Sequence, residues 1–174
     1  MIGYIATILG GGVLAAVHAS FFLSLPAPFS YIHLPLIAIL AYITAFRFSH
    51  ALVVAGTIGI SLDLAFSVGV RANTIVLLIT TLILLSLFTR VFTNTSTIAF
   101  VGITFVGFAL IHTLELIENI VLLTTLGYPL ESLFSIEQLG AVMLGMLAHS
   151  VASLIVVVFL KGAQKLISSV LLIR

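Results

Sequence analysis

The sequence predicts an all-α, polytopic integral membrane protein, a single transmembrane domain over residues 1–174 with about six membrane-crossing helices. Three observations predict it. Hydrophobic residues make up 62% of the chain and charged residues only 6%, against roughly 25% charged in an ordinary soluble domain. Mean hydropathy is +1.42. The apolar residues are gathered into runs long enough to cross ~30 Å of hydrocarbon as helices, rather than into the short alternating segments of a transmembrane barrel. A net charge of +1 with scattered basic residues leaves no electrostatic footprint for nucleic acid. With no cysteine in the chain, a disulfide framework, a thiolate zinc site and a redox thiol are all excluded.

Taken in order, the first 46 residues contain no Asp, Glu, Lys or Arg. Residues 2–25 predict one crossing. Val17 and Ala19 have the small-residue spacing of a signal-peptide cleavage site, but no basic residue precedes the run and it is longer than a secretory core, so a retained span is expected. Pro26 and Pro28 then break the helix, because proline lacks the backbone donor and clashes with the preceding turn. A shorter second span covers residues 31–46 and a third covers 51–68, carrying Gly56, Gly59 and Asp63. These two are short enough to be re-entrant. Gly69 and Arg71 form a turn, and the uncharged residues 72–89 make the fourth span, closed by Arg90. Ser96 is placed to cap the fifth helix. That helix, residues 97–126, is ~45 Å long at 1.5 Å per residue, so it must tilt, kink near Gly102 or Gly107, or project beyond the bilayer. An acidic loop with Glu131 and Glu137 leads to the sixth span, residues 139–160, followed by Lys161, Lys165 and Arg174.

With a cytoplasmic N-terminus, six spans put Arg47, Arg90, Lys161, Lys165 and Arg174 inside and Arg71 alone outside. The bias of basic residues in short loops therefore predicts both termini in the cytoplasm.

Depth follows from the helical rise. Asp63 lies ~20 Å above the inner end of its span, and His18, His112, Glu115, Glu118 and His149 fall in or near the same outer half. An ionised carboxylate among aliphatic residues costs a few kcal/mol in hydrocarbon, so Asp63 needs a partner, water or a function. Two readings stand for it, a structural ion pair with Arg71 and a functional group. If the ion pair holds, Arg71→Ala is expected to hurt more than Asp63→Asn. His112, Glu115 and Asn119 recur along one helix face, with Glu118 at its flank. They suit hydrated or structural polar contacts, a small-ligand or partner site, or, with a facing carboxylate, a metal; the polar contacts are the expectation, and no resident metal or cofactor is expected. For His18 and His149 the expectation is interhelical hydrogen bonding. A His-x-x-Glu pair supplies no nucleophile and base, so no catalytic site is expected. Few aromatic residues sit at this depth, Phe66, Phe105 and Phe108 being nearest, so the cluster is expected to be packed or water-filled rather than a small-ligand site.

Gly11, Ala15 and Ala19 recur every four residues on the first helix. Such a smooth stripe lets helix backbones approach closely, either within the chain, which is the default, or against another protein. Gly56 and Gly59 suit a close approach within the chain.

The pattern Gly56-x-x-Gly59-x-x-x-Asp63-Leu64, a turn with Gly69 and a long aliphatic span closing in Arg90 resembles the central region of the MreD family, the small membrane subunit of the bacterial rod-shape machinery. The segment from Phe92 to Ser96 is similar to a loop in divergent members. The resemblance implies six spans with cytoplasmic ends in the bacterial inner membrane. It also implies a non-enzymatic scaffold of peptidoglycan elongation, whose partners are a bitopic MreC-type protein and, through it, the wall synthases. That family is similar in fold to the S components of energy-coupling-factor transporters. The alternative this implies is a vitamin-binding subunit, with Ala15 and Ala19 facing a membrane coupling subunit and the outer polar cluster holding the vitamin.

Overall fold

A computed structural model describes residues 2–45, 48–66, 72–90, 97–127 and 136–171. Six α-helices follow one another: α1 (Ile2–Ser20), α2 (Leu34–Ala45), α3 (Phe48–Ala65), α4 (Asn73–Arg90), α5 (Thr97–Leu126) and α6 (Ile136–Leu171). Two 3-10 turns, Phe22–Ser24 and Phe29–Tyr31, lie between α1 and α2. Among the described residues there is no strand, as the predicted all-α class requires.

The bundle is arranged around α2. This helix has 12 residues and no charge, so it is ~18 Å long. It packs against each of the other five helices, and residues 35–40 are all buried. A helix that is apolar on every side has no face to give to water and takes the centre. Around it α1 packs on α3, α3 on α4, α4 on α5 and α5 on α6, and the 3-10 turns pack on α1 and α6. The core is aliphatic, with Leu36, Ile39, Leu40, Ile58, Leu84 and Ile103 fully buried.

Glycines allow a close approach at two crossings of α3. Gly11 on α1 faces Thr57 and Ile58 on α3, where an added Cβ would meet Thr57 at 3.1 Å. Ala15 is 2% exposed and Ala19 packs on the same core, so the small-residue stripe of α1 is used within the chain. Gly59 is tighter still, because a Cβ there would run into the backbone of Thr74 on α4. Gly56 makes no such approach, its nearest neighbour being Leu78 at 3.8 Å from the added Cβ.

Among the described residues, three helical segments are long and apolar enough to cross a membrane: Gly3–Ser24, Asn73–Arg90 and Phe100–Leu126. Leu34–Thr44, His50–Ala65 and Gly140–Val156 are shorter apolar helices. Outward faces are apolar, as at Leu9 and Val13 on α1, Leu82 on α4, and Met143, Leu147 and Phe159 on α6. A membrane protein can present such faces to lipid. The hydroxyls fit the same solvent: Thr44, Thr57, Thr81, Thr104, Thr113 and Ser150 each donate to the carbonyl four residues earlier at 2.6–2.9 Å. Their polar atoms are thereby satisfied without water.

Helix α5 keeps its predicted bounds, and the far end of α6 does not. The 30-residue α5 stays α-helical through Gly102 and Gly107, and Gly107 fits against Leu36 and Leu84. Helix α6 does not stop at residue 160 but continues to Leu171, since no proline interrupts that stretch and a single glycine, Gly162, only weakens a helix. Arg71, Ser96 and Glu131 lie outside the described residues.

The crossing at Gly59 predicts a contrast between glycines. Gly59→Ala is expected to destabilise the purified protein by about 1–3 kcal/mol through overpacking. Gly12→Ala, where nothing lies within 4 Å of the new Cβ, is expected to stabilise by about 0.5–1 kcal/mol because a helix favours alanine. Thermal unfolding in detergent checks the pair, and equal effects from both would remove the close crossing.

Candidate functional site

The Gly59 crossing puts Asp63, one turn further along α3, beside the first turn of α4. There its carboxylate accepts four hydrogen bonds: from the Asn73 N–H at 2.8 Å, the Asn73 side-chain amide at 3.0 Å, the Thr74 N–H at 3.0 Å and the Thr74 hydroxyl at 2.5 Å. From the other side Glu118 of α5 accepts the Ala72 N–H at 2.5 Å. The first backbone donors of α4 have no partner inside the helix. Here two carboxylates from neighbouring helices take them, where the positive end of the helix dipole also favours negative charge. Asp63 therefore has its partners within α4, whether or not Arg71, outside the described residues, adds to them. Glu118, expected to be a solvated or structural group near the interface, is joined to the start of α4.

The other polar residues gather on the same end of the bundle. His112 Nδ1 lies 3.1 Å from Glu115 Oε2, as their spacing predicts, with both side chains a little over a third exposed. His149 on α6 is fully buried, and its Nδ1 accepts the backbone N–H of His33 at 3.2 Å. His33 in turn accepts the Leu36 N–H on its own Nδ1 at 3.2 Å, which makes it the N-cap of α2. An imidazole nitrogen that accepts a hydrogen bond is unprotonated, so in the neutral rings of His33 and His149 the proton is assigned to Nε2. The Phe108 ring lies 4.3 Å from the His112 ring and 5.1 Å from that of His149. His18 and His33 are 5.3 Å apart.

Several of these groups surround a cavity of about 220 Å³. His18, His112 and Glu115 line it, together with His33, Phe66, Phe108 and Asn73. Asp63, Glu118 and His149 do not line it. Phe105 points elsewhere and is 45% exposed. His18 Nδ1 and His149 Nε2 are buried and meet no hydrogen-bond partner among the described residues. Among the described residues no three His, Asp or Glu side chains are arranged to hold a metal ion. The arrangement offers imidazoles that hydrogen bond when neutral, and one carboxylate paired to an imidazole.

His33 and His50 are site residues that sequence reasoning missed. His33 stands just before the apolar run of α2, the position of an N-cap, but histidine is not among the residues that usually signal one. His50 belongs to the opposite end of the bundle, where its Nδ1 lies 3.1 Å from the Thr7 hydroxyl and Tyr4 stacks on its ring at 4.5 Å. No family model, curated protein or solved structure matches the chain.

Four donors meet Asp63 without Arg71, so the order of effects is expected to reverse from that of a simple ion pair. Asp63→Ala should cost about 2 kcal/mol or more, the upper range for a lost cap, with Asp63→Asn costing less than Asp63→Ala because the amide keeps one acceptor oxygen, and Arg71→Ala costing less again. Thermal unfolding of the three variants decides it, and a larger loss for Arg71→Ala would sink this account of the carboxylate.

Proposed function

We propose that the chain is an MreD-like, non-enzymatic membrane subunit of bacterial peptidoglycan elongation, a scaffold that holds a bitopic MreC-type partner in the inner membrane. The observation that carries this reading is the use of the acidic groups. Asp63 and Glu118 are engaged on the first turn of α4, and Glu115 on His112. The Gly59 and Asp63 pattern behind the resemblance thus has an architectural task, joining α3 to α4, as befits a scaffold. The cavity volume supports the same reading, since about 220 Å³ falls below the ~300–1,000 Å³ of small-molecule sites.

Six crossings with both termini in the cytoplasm belong to this proposal. His18 near the end of α1, Asn73 at the start of α4 and Glu115 on α5 face one cavity, which suits helices that alternate in direction. The basic residues favour the end opposite the cavity for the cytoplasm.

Two measurements test the proposal. Cysteines at Thr93 and Glu131 are expected to react with a membrane-impermeant reagent from opposite sides; labelling of both from one side would remove the six-span topology. The purified protein is expected to co-purify with a co-expressed MreC-type protein and to show no thermal shift with a panel of vitamins. Stabilisation by one vitamin, abolished by Glu115→Gln, would replace the scaffold with the transporter subunit.

A further inference from the structure

We propose that residues 21–33 form a strap across the cavity, latched by His33 and His149, and that protonation of these two imidazoles releases it. The strap comprises the two 3-10 turns and the loops around them. None of the residues in either turn is buried, and Phe21, Leu23 and Phe29 are each more than 40% exposed. Its backbone hydrogen bonds up to Ile32 are local, between residues three or four apart. Such a segment has little burial of its own to hold it and opens at low cost unless it is tied elsewhere.

The ties are at its C-terminal end. Tyr31 fits against Gly145 of α6, where an added Cβ would lie 3.2 Å from the Tyr31 Cβ. Two residues on, the His33 N–H donates to His149 and the His33 ring accepts from Leu36. The strap is thereby joined to α6 and to the first turn of the central helix through two imidazole acceptors in series.

Both bonds exist only while the accepting Nδ1 carries no proton. A proton on His149 Nδ1 turns it into a donor facing the His33 N–H, and a proton on His33 Nδ1 turns it into a donor facing the Leu36 N–H. Each change replaces a hydrogen bond by two opposed donors in a poorly solvated place. The groups facing the pair are His18 from α1, and His112 and Glu115 from α5, with Tyr31 on the strap itself. From α3 and α4 the cavity receives Leu62, Phe66 and Asn73, which do not titrate, while the Asp63 carboxylate is turned onto α4. A charged His33 is repelled by any charge on His18, His112 or His149 and attracted by Glu115, which lies on the cavity side. Both latch residues require the neutral form. In the open strap the imidazoles titrate near their ordinary value of about 6.5, while burial holds His33 neutral in the closed latch down to about 3, so the latch is intact above about 6.5 and weakens progressively as the pH falls below it. Opening the strap uncovers the cavity and removes the side-chain part of the α2 cap, while the Leu36 and Ile37 N–H groups keep the His33 carbonyl as acceptor. The device rests on the fold alone; in the orientation proposed above, the protons come from the outer compartment.

The chain has no cysteine, so a single Ser30→Cys on the cavity wall reports the strap. Its reaction rate with a small haloacetamide is measured on the full-length protein in detergent from about pH 7.5 to 5.0, a range that brackets the ordinary imidazole value. Dividing by the rate of the same protein denatured in SDS at each pH cancels the thiol's own ionisation. The ratio is expected to rise about tenfold on acidification. His33→Asn and His149→Asn, whose amide oxygens accept a hydrogen bond without titrating, are each expected to abolish most of the rise. A flat ratio in the Ser30→Cys protein alone overturns the proposal, as does an undiminished rise in either Asn variant, which would assign the response to His18, His112 or His50. His33→Asn decides the matter if His149→Asn fails to fold.

Discussion

The structure depends on what happens to the backbone donors where α4 begins. The first N–H groups of a helix have no partner inside it, and one that is buried without a partner costs free energy. Helix α4 starts next to α3 and beneath α5, and its first donors are met by carboxylates from those two helices. That solution requires Asp63 to reach the helix end, which requires α3 and α4 to cross closely, which requires the absence of a side chain at Gly59. Three helices are thus fixed to one another by a single set of hydrogen bonds. The charge that composition marks as anomalous is what makes the corner stable, because the helix dipole and four donors replace its lost hydration.

Much of this was legible in the sequence, for identifiable reasons. The six helices stand out because charge and proline punctuate an otherwise apolar chain, and both kinds of residue are conspicuous at 6% charged. The His112 and Glu115 contact was legible because a helix fixes the geometry of residues three apart. The partners of Asp63 were not. Asn73 and Thr74 are ten and eleven residues away on the next helix, and a remote carboxylate capping another helix leaves no local pattern. Arg71 drew attention as the nearest opposite charge, although uncharged donors at a helix terminus can satisfy a carboxylate just as well. His33 escaped notice because its role depends on α6, more than a hundred residues later.

The small-residue stripe of α1 shows why a pattern fixes a contact but not a partner. Gly11, Ala15 and Ala19 predict a close helix neighbour, and α3 fills that place, running parallel to α1 with Gly3 near His50 and Gly11 near Thr57. Once α3 is seated there, the outward side of α1 carries Leu9 and Val13, a surface that suits lipid. A contact between α1 and another protein would therefore use this outward side and leave the stripe buried.

Two helices begin at the cavity end with their caps described, and they are capped by different chemistry. Carboxylates meet the donors of α4; at α2 the His33 imidazole shares the Leu36 N–H with the His33 carbonyl, and the His149 imidazole meets the last donor of the strap. A carboxylate near a helix N-terminus keeps its charge and its acceptor capacity down to acid pH, its ordinary value being about 4, whereas an imidazole loses its acceptor near 6.5. The corner that fixes α3, α4 and α5 is accordingly the part least responsive to protons at this end. The beginning of α2, the helix that touches all the others, is held by imidazoles that accept only while neutral. The position of α2 makes that choice of cap consequential: a carboxylate buried beside a charge-free helix at the centre of the bundle would carry a heavy desolvation cost, while a neutral imidazole accepts the same hydrogen bond without a charge. The property that lets histidine cap a buried helix is thus the one that makes the cap sensitive to protons.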